Sequence, residues 1–435
     1  MTVIAFVIGV LVLVVGLAVS IALHEIGHLV PAKLFGVRVG QYMIGFGPTL
    51  WSRRYGETEY GVKALPLGGY ISMAGMYPPA PEGEAATGGT RRSRLFGTLV
   101  QEARAANADT LVGTEPKRAF YELSVLRRIV IMLGGPFMNL LLAVVLFAIM
   151  FSGIGVQTAT PTVAAVSECV LPAGAERTEC TASDPASPAA AGGILPGDVI
   201  VSVDGTPVET FAEASAIIQD SPERALDFVV ERGGERRSLT VTPVLAEREI
   251  ADGEGGTVVA DVGFVGMTAT LEYVRQPIWT GPEAAFEQVG RVVGVISQLP
   301  VRVYETAVDT FTGAGRDPDG PLSVVGAGRL AGEVAAIDAP IIDRVSTMLG
   351  LLASLNLALF VFNLVPLLPL DGGHVVIALW DGLRRAWARV RGAPRPGPTD
   401  ATRLVPITYV VVVCLIAMTA TLVLADIVNP VTLLG

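Results

Sequence analysis

Val3 to Val30 reads VIAFVIGVLVLVVGLAVSIALHEIGHLV. Val3 to Leu23 carries no charge and is long enough to cross a hydrocarbon core, which takes about 20 residues as a helix. The apolar run passes without a break into His24-Glu25-Ile26-Gly27-His28. Ionisable groups at that depth are costly and mark a function. The segment has no basic flank before it and no small-residue cleavage site, so it reads as a true span and not as a leader.

Three further stretches have the same character: Ile129 to Phe151, Met348 to Leu364 and Leu404 to Leu424. With 51% hydrophobic residues in 435 and a mean hydropathy of +0.55, the chain reads as a membrane protein with a soluble part. A net charge of -10 argues against nucleic acid as a partner, because binding there needs a basic face to displace counterions.

Charge gives the orientation. Residues 33–128 hold 13 of the 31 Lys and Arg, residues 381–403 hold 6, and the long segment 154–346 holds 12 together with 28 of the 41 acidic residues. Basic loops stay cytoplasmic. Both termini and the long segment are therefore expected outside, in a bacterial cytoplasmic membrane, with the reactive motif toward the cytoplasmic side. Cys169 and Cys180 fall in the outer segment, as a disulfide or as two free thiols, and Cys414 falls in the last span.

The expected fold class is a mainly α-helical membrane protein with four transmembrane helices, a membrane-associated β-hairpin or sheet after the first, and one extracytoplasmic α+β domain. The divisions are 1–34 for the first span with its motif, 35–76 for membrane-associated strands and 77–118 for a flexible cytoplasmic insertion with one short helix near Leu95 to Ala106. Then come 119–153 for the second span, 160–247 for the outer domain, and 248–346 for a following region with an amphipathic helix at Glu283 to Leu299. The third span takes 347–380, a basic cytoplasmic loop 381–403 and the fourth span 404–427. Strands in 35–76 follow from short apolar and polar alternation cut by Gly and Pro. Such strands beside a span leave an open edge, to which an extended peptide can add at Gly68 and Gly69 onward.

Positions i and i+4 share one helix face, so His24 and His28 can grip one metal ion while Glu25 acts on water beside it. The chain has only three histidines. The third, His374, lies in FNLVPLLPLDGGHVV, where Asn363, Pro366, Pro369, Asp371, Gly372 and Gly373 break the rules of a plain span. Non-helical backbone at this depth is tolerated only where protein buries it or water lines it. An aspartate there is expensive unless a cation satisfies it. His24, His28 and Asp371 thus form a three-ligand zinc set with a fourth position open, and Glu25 is the general base and acid. A competing set puts His374 in the place of Asp371. Asn363 and Pro366 are expected to support the substrate, and His374 to orient ligands or stabilise an oxyanion.

Two resemblances follow from these motifs. DVIVSVDG, ETFAEASAIIQ and the hairpin at Gly233-Gly234 resemble a bacterial PDZ domain. That resemblance implies a loop at Gly192, Gly193 and Ile194 whose free backbone N–H groups receive a peptide; a steric filter without a peptide is the other possibility. HEIGH, GFGPTL, PLGGYISMAG, GGPFMNLLLA, GPLSVVG and the Asn363 to Gly372 motif together resemble the site-2 protease family of intramembrane zinc metalloproteases, in its bacterial PDZ-containing branch. The resemblance implies one zinc ion per chain on His24, His28 and Asp371. It also implies substrates that are single-span membrane proteins of the anti-sigma-factor type, already shortened by another protease.

Three rivals fit less well. A scaffold with a structural metal would need a fourth protein ligand, a metal transporter would spread acidic residues over several spans, and a serine protease triad lacks a spare histidine.

Overall fold

The computed structural model describes residues 2–78, 91–171, 180–181, 184–251, 257–313, 315–317 and 320–432. They form two compact units, Met1–Gly153 with Pro277–Gly435, and Ile154–Gln276. The first unit begins with α1 (Thr2–Leu34), β1 (Val39–Tyr55), β2 (Thr58–Met73), α2 (Arg91–Leu111) and α3 (Val125–Ala148). The second holds β3 (Val156–Val166), α4 (Pro188–Ala191), β4 (Val199–Val203), β5 (Thr206–Pro207), α5 (Phe211–Gln219), β6 (Leu226–Arg232), β7 (Glu235–Val241), β8 (Val244–Ala251), β9 (Thr257–Phe264) and β10 (Met267–Val274). The chain then returns to the first unit with α6 (Thr280–Ser297), α7 (Leu299–Thr312), α8 (Val324–Ala336), α9 (Ile341–Asn363), α10 (Asp371–Val390) and α11 (Val405–Val428).

Four helices among the described residues are long and apolar enough to cross a membrane: Val3–Leu34, Val125–Ile154, Ile341–Asn363 and Ala401–Val428. Apolar surface does not drive helices together in lipid, so they meet through close backbone approach and polar pairs. Both devices are present. A Cβ on Gly27 would lie 2.1 Å from the Gly134 carbonyl oxygen, and one on Gly134 would lie 2.0 Å from the Gly27 oxygen, so α1 and α3 touch backbone to backbone. Between α1 and α9, the buried Asn356 amide donates to Ser20 Oγ at 3.0 Å. At the other end of the bundle, Asp426 of α11 accepts from the Ser323 and Gly326 backbone N–H groups at 2.7 and 3.1 Å and pairs with Arg316. The GPLSVVG stretch is thereby tied to the last span.

The strands after α1 are more folded than a hairpin. Gln41 to Ile44 pair with Glu59 to Val62 on one side and with Ser72 to Gly69 on the other. Each long strand bends, and the four halves lie in the order 49–55, 58–65, 39–46, 69–73. Gly45 and Gly47, at φ 92° and 83°, make the bend in β1. Residues 69–73 are left as an edge.

Part of the expected flexible insertion, residues 79–90, lies outside the described residues. The rest differs from expectation, because α2 runs over 21 residues and is anchored. The Asn107 amide pairs with both backbone groups of Tyr77, and Arg104 pairs with Asp400 at 2.7 Å. Those partners are remote in sequence, so composition alone does not reveal them. Likewise, the first ten residues of the expected basic loop 381–403 continue α10.

In the second unit the sheet order is β10-β3-β4-β6-β7, with β5 against β4 and β8-β9 as a separate pair. Phe228, Ile194, Ile200 and Leu226 fill its core. The Asp204-Gly205 and Gly233-Gly234 turns carry positive φ at both positions, as two-residue hairpin turns require. Thr210 and Glu213 form a capping box at the start of α5. Cys169 and Cys180 are joined as a disulfide.

Candidate metal centre

Helix α1 sets His24 and His28 one turn apart, with their Nε2 atoms 3.2 Å from each other. The His28 ring is fixed from behind, where Nδ1 donates to the Ile131 carbonyl of α3 at 2.7 Å and leaves Nε2 free for a ligand role. The third group comes from the far end of the chain. After α9 ends at Asn363, residues 364–370 turn back, and α10 begins with Asp371. Asp371 Oδ2 lies 3.4 Å from each Nε2. One donor atom from each of the three residues falls within 4.8 Å of the others.

The donor set fits a zinc ion. Asp371 Oδ2 is buried without a hydrogen-bond donor, a costly state that a cation relieves. Two imidazole nitrogens and one carboxylate oxygen are a common catalytic zinc set, with room for a fourth ligand. His374 is near enough to feel the charges of Asp371 and His28, but the group of donor atoms that converge consists of His24, His28 and Asp371. The geometry thus favours Asp371 over His374 as the third ligand.

Glu25 is buried on the same helix, and the edge segment of the sheet lies against it. A Cβ on Gly69 would come within 3.0 Å of Glu25 Cγ and 2.9 Å of Ile21 Cγ2, while one on Gly68 would meet the Phe46 ring at 2.4 Å. Only glycine lets the strand approach this closely. Asn363 donates from Nδ2 to the Leu359 carbonyl in its own helix at 3.0 Å, and Pro366 is exposed in the turn before Asp371.

Two neighbours escaped the sequence reading. Gly135 faces both imidazoles, since a Cβ there would lie 2.2 Å from His28 Nε2 and 2.8 Å from His24 Cε1. The Gly134-Gly135-Pro136 run inside a span was the available signal. Tyr42 donates its hydroxyl to the Ala22 carbonyl at 2.8 Å. Burial, helped by the Glu25 and Tyr60 charges, pushes its phenol up to about 12, so it stays a donor.

The expected peptide loop in the second unit is corrected. Gly192, Gly193 and Ile194 donate their N–H groups to Pro188, Ala190 and Ala189, and Leu195 donates to Asp198. Ile194 is buried in the core. The short helix α4 folds these donors inward, so none is free. A cavity of about 200 Å³ lies between α5 and the turn from β9 to β10, lined by Phe211, Ser215, Ile218, Gly263, Val265 and Met267 among others.

Residues 12–393 match the pattern that describes Peptidase family M50. The chain is 34% identical to the zinc metalloprotease Rip1 of Mycobacterium tuberculosis, over 98% of this chain and 99% of the relative. It is 32% identical to Rip1 of Mycolicibacterium smegmatis with the same coverage, and 29% identical to the metalloprotease MmpA of Caulobacter vibrioides over 85% of each. The chain belongs to peptidase family M50, the site-2 proteases, and is a zinc-dependent membrane protease.

Proposed function

We propose that the protein cuts single-span membrane proteins of the anti-sigma-factor type within or beside their transmembrane segment, after another protease has shortened them outside, as a step of regulated intramembrane proteolysis. The observation that carries this reading is the meeting of His24, His28 and Asp371 beside Glu25 and a free strand edge.

His24, His28 and Asp371 would hold a zinc ion, which would supply Lewis acidity to lower the pKa of water and polarise a carbonyl. Glu25 takes the proton of the attacking water and delivers it to the amine nitrogen that leaves. A transmembrane helix satisfies its own backbone, so its peptide bonds must be unwound before they can be cut. The edge at Gly69 to Met73 offers replacement hydrogen bonds to the unwound segment, which then lies across Glu25. The Asn363 amide oxygen accepts from the substrate backbone, and His374 supports the Asp371 end of the centre.

The second unit is read as a PDZ-like domain whose peptide site is the cleft between α5 and Gly263 to Met267. It faces outside, while the centre works toward the cytoplasmic side of a bacterial cytoplasmic membrane. Co-expression with a shortened single-span anti-sigma factor tests the reading. Wild type should release a cytoplasmic fragment and Glu25→Gln should leave the substrate whole; cleavage by both would defeat it.

A further inference from the structure

Helix α10 runs back along α3, and the contacts between them define a register. Gly382 lies against Val125, where an added Cβ would be 3.9 Å from the Val125 Cβ. Asp381 accepts from Arg128 Nη2 at 2.8 Å. Val375 packs on the cluster that holds Ile131 and Met132. Asp371 Oδ2 reaches the Nε2 of His28, whose ring is held by the Ile131 carbonyl. Falling numbers on α10 thus meet rising numbers on α3. Arg128, Ile131 and Gly135 share one buried face of α3, so the helix that orients His28 also grips α10.

The Arg128–Asp381 contact is the one hydrogen bond between α3 and α10 among the described residues. The two side chains are only 5 and 1% exposed, and the Asp381 carboxylate is held on its other side by the Thr399 N–H at 2.9 Å. A buried ion pair is a poor source of stability, because desolvation offsets the attraction; its best-attested use is to fix register. Register matters here because Asp371 opens α10 ten residues before Asp381, about 15 Å along the same rod. The turn before Asp371 is packed onto that rod: a Cβ on Gly372 would lie 2.3 Å from the Leu364 carbonyl oxygen, and one on Gly373 2.7 Å from the Leu367 carbonyl carbon. Metal–ligand distances hold to within about 0.2 Å, whereas a slip of one residue moves a helix by about 1.5 Å. The apolar and glycine contacts along the seam do not resist so small a slide, and the ion pair does.

We infer that Arg128 and Asp381 are a positioning pair for the metal centre: they set the register of α10 on α3 and thereby bring Asp371 to the zinc position that His24 and His28 define. The inference rests on Asp371 as the third ligand. A failure of that assignment shows separately, as retention of zinc by Asp371→Ala, and none of the variants below alters Asp371.

The test uses the full-length chain in detergent, with Cys414→Ser to remove the free thiol. It reads the zinc Kd by equilibrium dialysis beside thermal melting by circular dichroism. Arg128→Met with Asp381→Leu replaces the pair by apolar side chains of similar size, a change that is often neutral for folding. The melting curve should stay, and the zinc Kd should rise about tenfold or more, as when other groups that orient ligands are lost; an unchanged Kd overturns the inference. Val125→Cys and Gly382→Cys, added to that variant, stand at the Cβ separation a disulfide spans and fix the register covalently. The oxidised form should recover the parental Kd and reduction should raise it again, while the same reductant leaves the parent unchanged. A Kd that stays high after oxidation overturns the inference, because the pair then acts otherwise than through register. If the pair variant does not fold, its cross-linked form is measured directly. A parental Kd there supports the inference; a raised Kd, or failure to fold even when cross-linked, overturns it and leaves the pair a role in folding alone.

Discussion

A methyl group on Gly135 would collide with the very nitrogen of His28 that faces Asp371, 2.2 Å away. Neither side has room to yield, because His28 is held from behind by Ile131. Gly135→Ala should therefore lower zinc affinity by about tenfold or more, in the range seen when groups that orient ligands are lost; equilibrium dialysis measures it. Zinc content also separates the two readings of the third ligand. Asp371→Ala should lose the metal, whereas His374→Ala should retain it, and the opposite result would transfer the ligand role to His374. Glu25→Gln should keep full zinc while hydrolysis of a cleavable peptide falls by about 100-fold or more, since Gln cannot accept the proton of water. The two imidazoles and Glu25 were legible because the helical repeat alone aligns them. Gly135 was not, because its role depends on where a second helix crosses the first.

At the scale of the elements, the sheet after α1 makes a sharper demand. Its edge lies close enough to Glu25 that Gly69→Val would force β2 away from Ile21 and Glu25. Cleavage of a helical transmembrane substrate should then fall much further than cleavage of a short peptide that is already extended, as parallel assays would show. Equal losses would mean that the edge serves only packing. In the second unit, Asp198 is fully buried and accepts from Arg232 twice at 2.7 Å and from Leu195 N–H at 2.8 Å. Burial alone would raise its pKa, but the Arg232 and Leu195 bonds outweigh it and hold the carboxyl below its usual range. A depressed pKa stabilises the fold above the unfolded carboxylate value and ceases to do so as pH falls through the folded one. Asp198→Asn should cost about 3 kcal/mol, the loss expected on breaking a buried pair. It should also flatten the acid limb of stability, read from hydrogen exchange of β6 and β7. Alternation and turn residues disclosed these strands beforehand. The inward fold of the Gly192 to Asp198 loop was hidden, because it depends on Arg232, a residue more than thirty positions away.

At the scale of the whole molecule, four apolar segments were plain from composition, while the clasp between them was not. Asn356 on Ser20 and Asp426 on the GPLSVVG helix are single polar residues in long apolar or Gly-rich runs, and only a folded chain shows which partner each one finds. The charge distribution leads to a prediction for the entire chain. Thirteen basic residues fall between the first two spans and six between the last two, near the span ends where the positive-inside rule has most force. Four crossings then return both termini to one face. Alkaline phosphatase folds only outside the cytoplasm, so it should be active when fused after Val241 or after Pro430, and inactive when fused after Gly113 or after Gly392. Activity at Gly392 would reverse the last two crossings and carry the Arg384 to Arg391 segment to the outer surface. The Asp371 turn would then open outward, and release of a cytoplasmic fragment could no longer follow from cleavage at this centre.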